Sequence, residues 1–294
     1  VGSEMCIRDR FFCQREAIET LIWLTEVAPK KFSEDVKNAN AEANPGLYRL
    51  ACKMATGAGK TSVMAMIIAW QAVNKARHPD SKKFSDAFLI VAPGITIRDR
   101  LRVLNPGDPS NSYEYFDLVP SDLMDAVRRA RIVITNYHAF MLREKEHVSK
   151  LNRQILGGRE GEKKFTETEG EMIARVAPEL MGRKNIIVLN DEAHHCYRRK
   201  VGSVDEEDLT GEDREEAKKN DEAARVWISG LEAFERKLGI DAVYDLSATP
   251  FFLRGSGYPE GTLFPWVVSD FSLMDAIESG IVKVPRLPVL DDAV

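Results

Sequence analysis

The chain has 294 residues, of which 44% are hydrophobic, so it carries enough apolar material to bury the core of one large domain or two small ones. It contains no apolar run of about 18 uncharged residues and no basic segment leading into an apolar stretch, which argues against a membrane span and a secretory signal. We therefore expect a cytoplasmic protein without a membrane partner.

Cysteine spacing argues against two further classes of protein, whereas the charge distribution leaves nucleic-acid binding possible. The four cysteines are widely separated and include no C-x-x-C pair, so neither a disulfide framework nor a structural zinc ribbon is predicted. The formal net charge of −5 is concentrated between Asp205 and Glu222, a segment with ten acidic and three basic residues. Because the rest of the chain is slightly basic, the net charge does not exclude a nucleic-acid partner.

The first ten residues, VGSEMCIRDR, resemble the translation of an adapter used in preparing sequencing libraries. We expect residues 1–10 to be a non-native scar, and reasoning about the fold begins at Phe11. On this expectation the native N-terminus is missing, and a longer natural reading frame would lack the decapeptide.

The elements that follow alternate between helical and extended patterns. Residues 11–26 have apolar positions close to a helical period, which predicts a helix that ends before Pro29. Residues 48–54 form a short apolar run that predicts a strand, and the apolar stretch 62–76 predicts a buried helix. Two glycines separate them, so the segment reads as a strand, a glycine loop and a helix.

Further apolar runs are too short for helices and are bounded by polar or turn residues, which predicts strands at 87–92, 132–135, 186–189 and 242–246. Helical patterns at 121–129 and 223–238 lie between them. Continuous apolar strands imply burial on both faces. We therefore predict an α/β fold with a mostly parallel sheet, helices on both faces and ligands at the carboxyl ends of the strands.

Two charged segments do not fit this alternation. Residues 143–183 are rich in charge and glycine, and residues 198–222 contain the acidic run. Both are predicted to be insertions into one domain that spans 11–294. The acidic run is interpreted as a solvated or disordered loop, with a docking surface for a basic partner as the alternative.

A phosphate loop is predicted where the strand at 48–54 meets its helix, in the sequence MATGAGKT. Its glycines permit backbone conformations in which successive amides point at phosphate oxygens, while the helix N-terminus adds positive potential. Lys60 would neutralise the outer phosphates of ATP, and the Thr61 hydroxyl would bind Mg2+. Met54 replaces the glycine of the general pattern, so a chance GKT sequence in a turn is the alternative. The predicted nucleotide-binding residues here are Thr56, Gly57, Ala58, Gly59, Lys60 and Thr61.

Two carboxylates follow the predicted strand at 186–189. Asp191 is predicted to hold Mg2+, and Glu192 is predicted to orient or deprotonate the water that attacks the γ-phosphate. The alternative is a transition-metal cluster that also uses His194, His195 and Cys196. So short a stretch of chain cannot bring five ligands to one ion, and such a cluster would not explain the GKT sequence.

These motifs resemble those of a known family. MATGAGKT, DEAH at 191–194 and LSATP at 246–250 are similar to motifs I, II and III of superfamily 2 helicases, and they occur in the same order, each at the end of a predicted strand. The MATG form of motif I is typical of the group related to the motor (Res) subunits of type III restriction endonucleases. The resemblance covers roughly 11–292 and implies a RecA-like first motor lobe that binds ATP and Mg2+.

The resemblance also implies roles for individual residues. Gln14 resembles the glutamine that reads the adenine edge of the nucleotide. His194 resembles the last residue of the DEAH motif, which couples the nucleotide site to motif III and completes a catalytic set with Lys60, Asp191 and Glu192. The coupling residues of motif III are Ser247, Ala248 and Thr249.

The segments after the strands at 87–92 and 132–135 resemble motifs Ia and Ib, which follow a nucleic-acid backbone. A turn and the start of the next helix would present amides and side chains, including Arg98 and Arg100, to phosphates. Alternatively, these arginines only cap or decorate the helix, and Tyr137 either stacks on a base or packs under the loop. The predicted nucleic-acid contacts are Pro93, Gly94, Thr96, Arg98, Thr135 and Asn136.

The C-terminal segment 251–280 resembles the part of type III restriction motors that leads toward a second lobe. We expect it to act as a hinge, with a helix at 275–280 and a linker strand at 282–285. The resemblance implies nucleic acid as a partner, with DNA favoured over RNA, and possibly a modification subunit. It also implies a second RecA-like lobe beyond residue 294, so we expect the present chain to be nearly inactive alone, binding ATP weakly and hydrolysing it very slowly.

The favoured function is thus the ATP-binding lobe of a nucleic-acid-dependent ATPase, either a helicase or a translocase. A first rival is a P-loop ATPase that acts on a substrate other than nucleic acid, and nucleic-acid stimulation of ATP hydrolysis would distinguish the two. A second rival is a non-catalytic interaction module that uses the sheet and the acidic run. The presence of Lys60, Asp191 and Glu192 argues against it.

Overall fold

The structure is a computed structural model that describes residues 10–145, 165–200 and 211–283. Nearly all of the predicted scar, residues 1–9, lies outside the described residues, so that expectation stays a prediction. Within the described ranges no helix is both long and apolar enough to cross a membrane.

A six-stranded, all-parallel sheet forms the centre of the domain. Its strands are β1 (Arg49–Met54), β2 (Ala87–Ala92), β3 (Arg131–Asn136), β6 (Ile186–Asp191), β7 (Ile240–Ser247) and β8 (Val267–Phe271). They lie in the order β3-β2-β6-β7-β1-β8. Two short strands, β4 (Glu144–Lys145) and β5 (Phe165–Thr166), form a separate antiparallel pair. The predicted α/β fold with a parallel sheet is confirmed.

Helices cover both faces of the sheet. They are α1 (Phe12–Ile22), α2 (Lys30–Ala43), α3 (Lys60–Arg77), α4 (Ile95–Arg100), α5 (Ser112–Tyr115), α6 (Met124–Arg129), α7 (Glu169–Val176), α8 (Glu212–Leu238) and α9 (Leu273–Glu278). A π-helical turn, Trp23–Val27, continues α1.

The alternation of side chains along each strand divides the core into two layers. On one face, Leu189 of β6 and its neighbours pack against α1 and α3. On the other face, Val188 and its neighbours pack against α7 and α8, which contribute Ile173, Trp227 and Phe234. Consecutive residues of β6 therefore point into different layers, and this places Asn190 and Asp191 on opposite faces of the sheet.

Helix α2 and strand β8 are among the elements that were not predicted from the sequence. Helix α2 has a polar sequence with only Asn40 buried, so it lacks an apolar period; it is held by Asn40, which accepts a hydrogen bond from the Arg49 backbone N–H at 3.0 Å. Strand β8 lies in the segment predicted to be a hinge. It is instead an edge strand of the sheet, where Met54 of β1 pairs with Phe271.

The predicted insertion at 143–183 contains an element of the core. Helix α7 begins with a capping box between Thr168 and Glu171, and it buries Met172 and Ile173 under β6 and α8. The sequence did not indicate this helix, because the charged surface of α7 hides an apolar face of only two turns; the interpretation of 143–183 as an insertion stays a prediction. Residues 146–164 lie outside the described residues.

The acidic run is also partly structured. Helix α8 begins at Glu212 instead of the predicted 223, so the prediction of a loop is wrong for 212–222, where glutamate, alanine and lysine favour a helix. The first turns of α8 contact the loop at 254–255, because Arg254 pairs with Asp213 at 2.5 Å and Ala217 packs against Gly255. Residues 201–210 lie outside the described residues.

The last described elements agree with the sequence only in part. The predicted helix at 275–280 is present as α9, which starts two residues earlier because Ser272 and Asp275 form a capping box. Residues 281–283 follow it without forming a strand, and 284–285 lie outside the described residues.

Candidate active site

The predicted motifs meet at the carboxyl-terminal edge of the sheet. In the sheet, β7 separates β1 from β6, and the register pairs Lys53 with Ser247 and Asp191 with Leu246. The phosphate loop, the carboxylate pair and motif III therefore leave three neighbouring strands at the same level. This is the edge at which open α/β sheets bind ligands.

The loop between β1 and α3 has the backbone geometry of a phosphate loop. Gly57 and Gly59 have φ values of +87° and +88°, in the left-handed region that favours glycine. Gly59 is the N-cap of α3, an 18-residue helix anchored in the core by Val63 and Ile67, so its N-terminal amides are directed at the loop. Thr56 and Gly57 are exposed, whereas Ala58 is buried.

Gln14 is bound to this loop. It lies on α1, is almost fully buried, and donates a hydrogen bond from Nε2 to the carbonyl oxygen of Ala58 at 3.0 Å. Its amide also occupies the space that a side chain at position 59 would need. Gln14 is thus next to the phosphate loop, and its predicted contact with adenine stays a prediction.

The loop and the carboxylates are joined by an ion pair. Lys60 Nζ lies 2.9 Å from Glu192 Oε1, and the two side chains are 12% and 27% exposed. Both charges therefore remain open to a ligand at the edge of the sheet. A phosphate group entering the loop would compete with Glu192 for the lysine and leave the carboxylate available to a water molecule.

Asp191 is placed where its charge is unfavourable without a cation. It ends β6 and is 8% exposed. Burial raises its pKa to about 6, and the neighbouring Glu192 adds to this, while Lys60 opposes it. A divalent cation at this carboxylate would reverse the shift, because it favours the ionised form. Oxygen ligands such as Asp191 and the Thr61 hydroxyl suit Mg2+.

His194 connects the carboxylate pair to motif III. Its Nδ1 lies 3.0 Å from Ser247 Oγ and 3.5 Å from Glu192 Oε2. Burial, followed by the adjacent His195, lowers the pKa of His194 to about 4, so the ring is neutral at neutral pH. The backbone N–H of Thr249 donates to Ser247 Oγ at 3.1 Å, which fixes the turn around Ala248.

The transition-metal alternative is not supported by the geometry. Across residues 10–145, 165–200 and 211–283, no group of three or more His, Cys, Asp and Glu side chains is arranged to hold a metal ion. Cys196 is buried in the layer under α8, with Sγ 3.9 Å from Asn190 Nδ2, and is separated from Asp191 by the sheet.

The residues predicted to contact nucleic acid lie together beside the site. The register of β2 and β3 pairs Ala92 with Asn136, so the turn at Pro93-Gly94 adjoins the end of β3. Thr96 is exposed at the start of α4. Arg98 pairs with the adjacent Asp99 at 2.9 Å.

The end of β3 also has structural contacts. Thr135 is 8% exposed, and Asn136 caps the following turn by accepting a hydrogen bond from Ala139 N–H at 3.2 Å. Tyr137 stacks on Trp227 with ring centroids 5.1 Å apart and an angle of 8° between the planes. Of the two interpretations of Tyr137, the structure supports packing under the loop.

Sequence reasoning missed a buried polar cluster directly beneath the site. Arg49 of β1 and Asp245 of β7 form an ion pair with an N–O distance of 2.7 Å. Both side chains are fully buried, with exposed fractions of 0% and 1%. Both lie inside runs that were predicted to be buried strands. A charged residue in each of two apolar strands, with opposite signs, was the signal that could have indicated the pair.

The fold and this site define a RecA-like P-loop domain that carries helicase motifs. A family model described as "Type III restriction enzyme, res subunit" matches residues 11–251. The chain belongs to this family, which confirms the resemblance seen in the sequence and implies an ATP-dependent, helicase-like motor. Comparison with curated proteins gave no match.

Proposed function

We propose that this chain is the ATP-binding lobe of a nucleic-acid-dependent ATPase, a helicase or translocase of a restriction system. The observation that carries the proposal is the contact between Lys60 and Glu192 at 2.9 Å. It joins the one cation of the phosphate loop to the carboxylate that would activate water, so a single ligand can engage both.

Each residue of the site has a role in this proposal. The amides of 56–61 and the Lys60 ammonium group bind the phosphates of ATP, with Gln14 directed at the base. Thr61 and Asp191 hold Mg2+, which supplies positive charge to the phosphates when it is bound. Glu192 accepts a proton from the attacking water, and His194 relays the state of the site to Ser247 through the 3.0 Å contact.

The proposed track is DNA, which binds across the ends of β2 and β3. The turn at Pro93-Gly94 and the start of α4 offer backbone amides and Thr96 to phosphates, while Thr135 and Asn136 lie on the adjacent strand. A second RecA-like lobe and a modification subunit are the proposed protein partners. The family match and the adjacency of these segments support this part of the proposal.

The test is a Glu192→Gln variant. It keeps the size of the side chain but removes the base, so the variant should bind Mg2+-ATP and retain it unhydrolysed, whereas the native chain slowly releases ADP. Nucleotide retention on filters and the ADP fraction would be measured with and without single- and double-stranded DNA and RNA.

A matched control is Glu114→Gln. Glu114 pairs with Arg128 at 2.8 Å outside the site, so this variant should behave like the native chain. If Glu192→Gln released ADP at the native rate, the catalytic role would be wrong. If hydrolysis by the chain joined to the proposed second lobe responded to neither DNA nor RNA, the rival ATPase with another substrate would be favoured.

A further inference from the structure

The buried ion pair beneath the site is the centre of a hydrogen-bonded cluster. Arg49 donates from Nε to Asp245 at 2.9 Å, and its ring-stacked neighbour Trp266 donates its indole N–H to the same carboxylate at 2.9 Å. The guanidinium carbon also lies 4.7 Å from the centre of the Trp266 ring. Such complete pairing is what a buried charge requires.

This cluster holds the carboxylate loop at both ends. Asn190, which precedes Asp191, donates from Nδ2 to Asp245 Oδ1 at 2.8 Å. Arg49 donates from Nη2 to the backbone carbonyl of Cys196, the residue that follows the DEAHH sequence, at 2.7 Å. The residues on either side of 191–195, Asn190 and Cys196, are therefore both hydrogen-bonded to the same buried ion pair.

Trp227 extends the cluster toward the predicted nucleic-acid contacts. It is fully buried on α8 and donates its indole N–H to Asn190 Oδ1 at 3.2 Å. Its ring stacks against the ring of Tyr137, the residue that directly follows Thr135 and Asn136. Because Asn190 uses its oxygen for Trp227 and its nitrogen for Asp245, its amide bridges the two in one fixed orientation.

We propose that Trp227 is a positioning residue that couples nucleic-acid binding at the end of β3 to the carboxylate loop, acting through Asn190. The inference rests on the proposed function. Protein interiors are close-packed and transmit displacements, so a shift of Tyr137 moves the stacked Trp227 ring and with it the bond to Asn190. A displacement of Asn190 also moves Asp191, because the two residues share a peptide bond although their side chains lie on opposite faces of the sheet.

The test compares two tryptophan variants of the 294-residue chain. Trp227→Phe keeps an aromatic ring against Tyr137 but removes the donor to Asn190. Trp266→Phe is the matched control, because it removes another buried donor from the same cluster, the one that bonds Asp245 and does not contact Tyr137. The measured quantity is the ratio of dissociation constants for a fluorescent ATP analogue with Mg2+, without and with a DNA oligonucleotide.

In the native chain DNA should tighten nucleotide binding by at least about fivefold, the lower end of typical coupling between sites. Trp227→Phe should bring the ratio close to one, and Trp266→Phe should keep the native ratio. Both variants should lower the Tm by a similar few degrees, so a purely structural effect would change both ratios alike.

Tyr137→Ala provides a second variant on the other side of the stack, and it should lower the ratio as Trp227→Phe does. A native ratio in Trp227→Phe, or equal loss in both tryptophan variants, would overturn the inference. So would a native chain that binds DNA and nucleotide independently. A native chain that binds nucleotide but no DNA would instead refute the proposed function, and this inference with it.

Discussion

Two ion pairs in this domain differ in how completely their charges are bonded. Lys60 and Glu192 meet at the edge of the sheet with side chains that are 12% and 27% exposed. Arg49 and Asp245 lie in the interior, where the carboxylate receives bonds from the guanidinium, Asn190 and Trp266. The open pair can exchange its partners for a ligand, whereas the closed pair can only hold the structure. The number of hydrogen bonds that each charged group already makes, more than its charge, therefore distinguishes an ion pair that can bind a ligand from one that stabilises the fold.

The largest expected effect is on the closed pair. Asp245→Ala leaves the Arg49 guanidinium buried without a counter-charge, which should lower the free energy of unfolding by about 3–5 kcal/mol in urea titrations. The control is Asp270→Ala, which breaks the half-exposed pair between Lys53 and Asp270 at 2.9 Å and should lower it by less than about 1 kcal/mol. Equal losses in the two variants would contradict the comparison.

A gain in the free energy of unfolding is expected when Asp191, beside the exposed Lys60–Glu192 pair, is replaced by asparagine. Asp191→Asn removes a buried charge whose pKa is raised from 3.8 to about 6, so the native protein loses about 3 kcal/mol relative to the variant as the pH rises through this window. The difference in unfolding free energy should therefore be small at pH 4 and complete at pH 8.

The same variant should lose the effect of Mg2+ on nucleotide affinity, because an amide lacks the charge that the ion requires. Fluorescence titrations with Mg2+ or with a chelator would measure this. If the difference in unfolding free energy between the native chain and Asp191→Asn were the same at pH 4 and pH 8, burial would not raise the pKa of Asp191, and the prediction would be wrong.

The smallest effect is expected at the contact between His194 and Ser247. Ser247→Ala removes the hydroxyl that bonds His194 and accepts from Thr249, which should lower the unfolding free energy by about 1 kcal/mol. Nucleotide affinity should not change, because Ser247 binds neither the phosphates nor Mg2+ in the proposed mechanism. Ser229→Ala, at an exposed hydroxyl on α8, is the control and should have no measurable effect.

The location of the candidate site was predictable because its motifs are short stretches of sequence that follow strands. GKT at 59–61, DEAH at 191–194 and the turn at 247–249 each follow an apolar strand, and parallel strands bring such ends together. The same local coding revealed five of the six strands in the sheet. Sequence position therefore implied spatial position wherever strand and motif were adjacent.

The features that escaped prediction depend on distant partners. Arg49 and Asp245 are 196 positions apart, so no local pattern joins them, and the one signal is their opposite charge inside two apolar strands. Strand β8 mixes buried and exposed positions because it lies at the edge, so its five residues show no continuous apolar run. Helix α2 was missed since its one buried residue, Asn40, is held by backbone hydrogen bonds instead of by an apolar stripe.

The position of Gln14 against Gly59 affects how variants of the phosphate loop are to be interpreted. A methyl group at position 59 would collide with the Gln14 amide as well as strain the left-handed backbone. A Gly59→Ala variant would thus lose its loop geometry and also displace the Gln14 amide that bonds to Ala58. Pairing that substitution with Gln14→Ala separates the two defects, because it restores room for the methyl group while leaving the backbone strain in place.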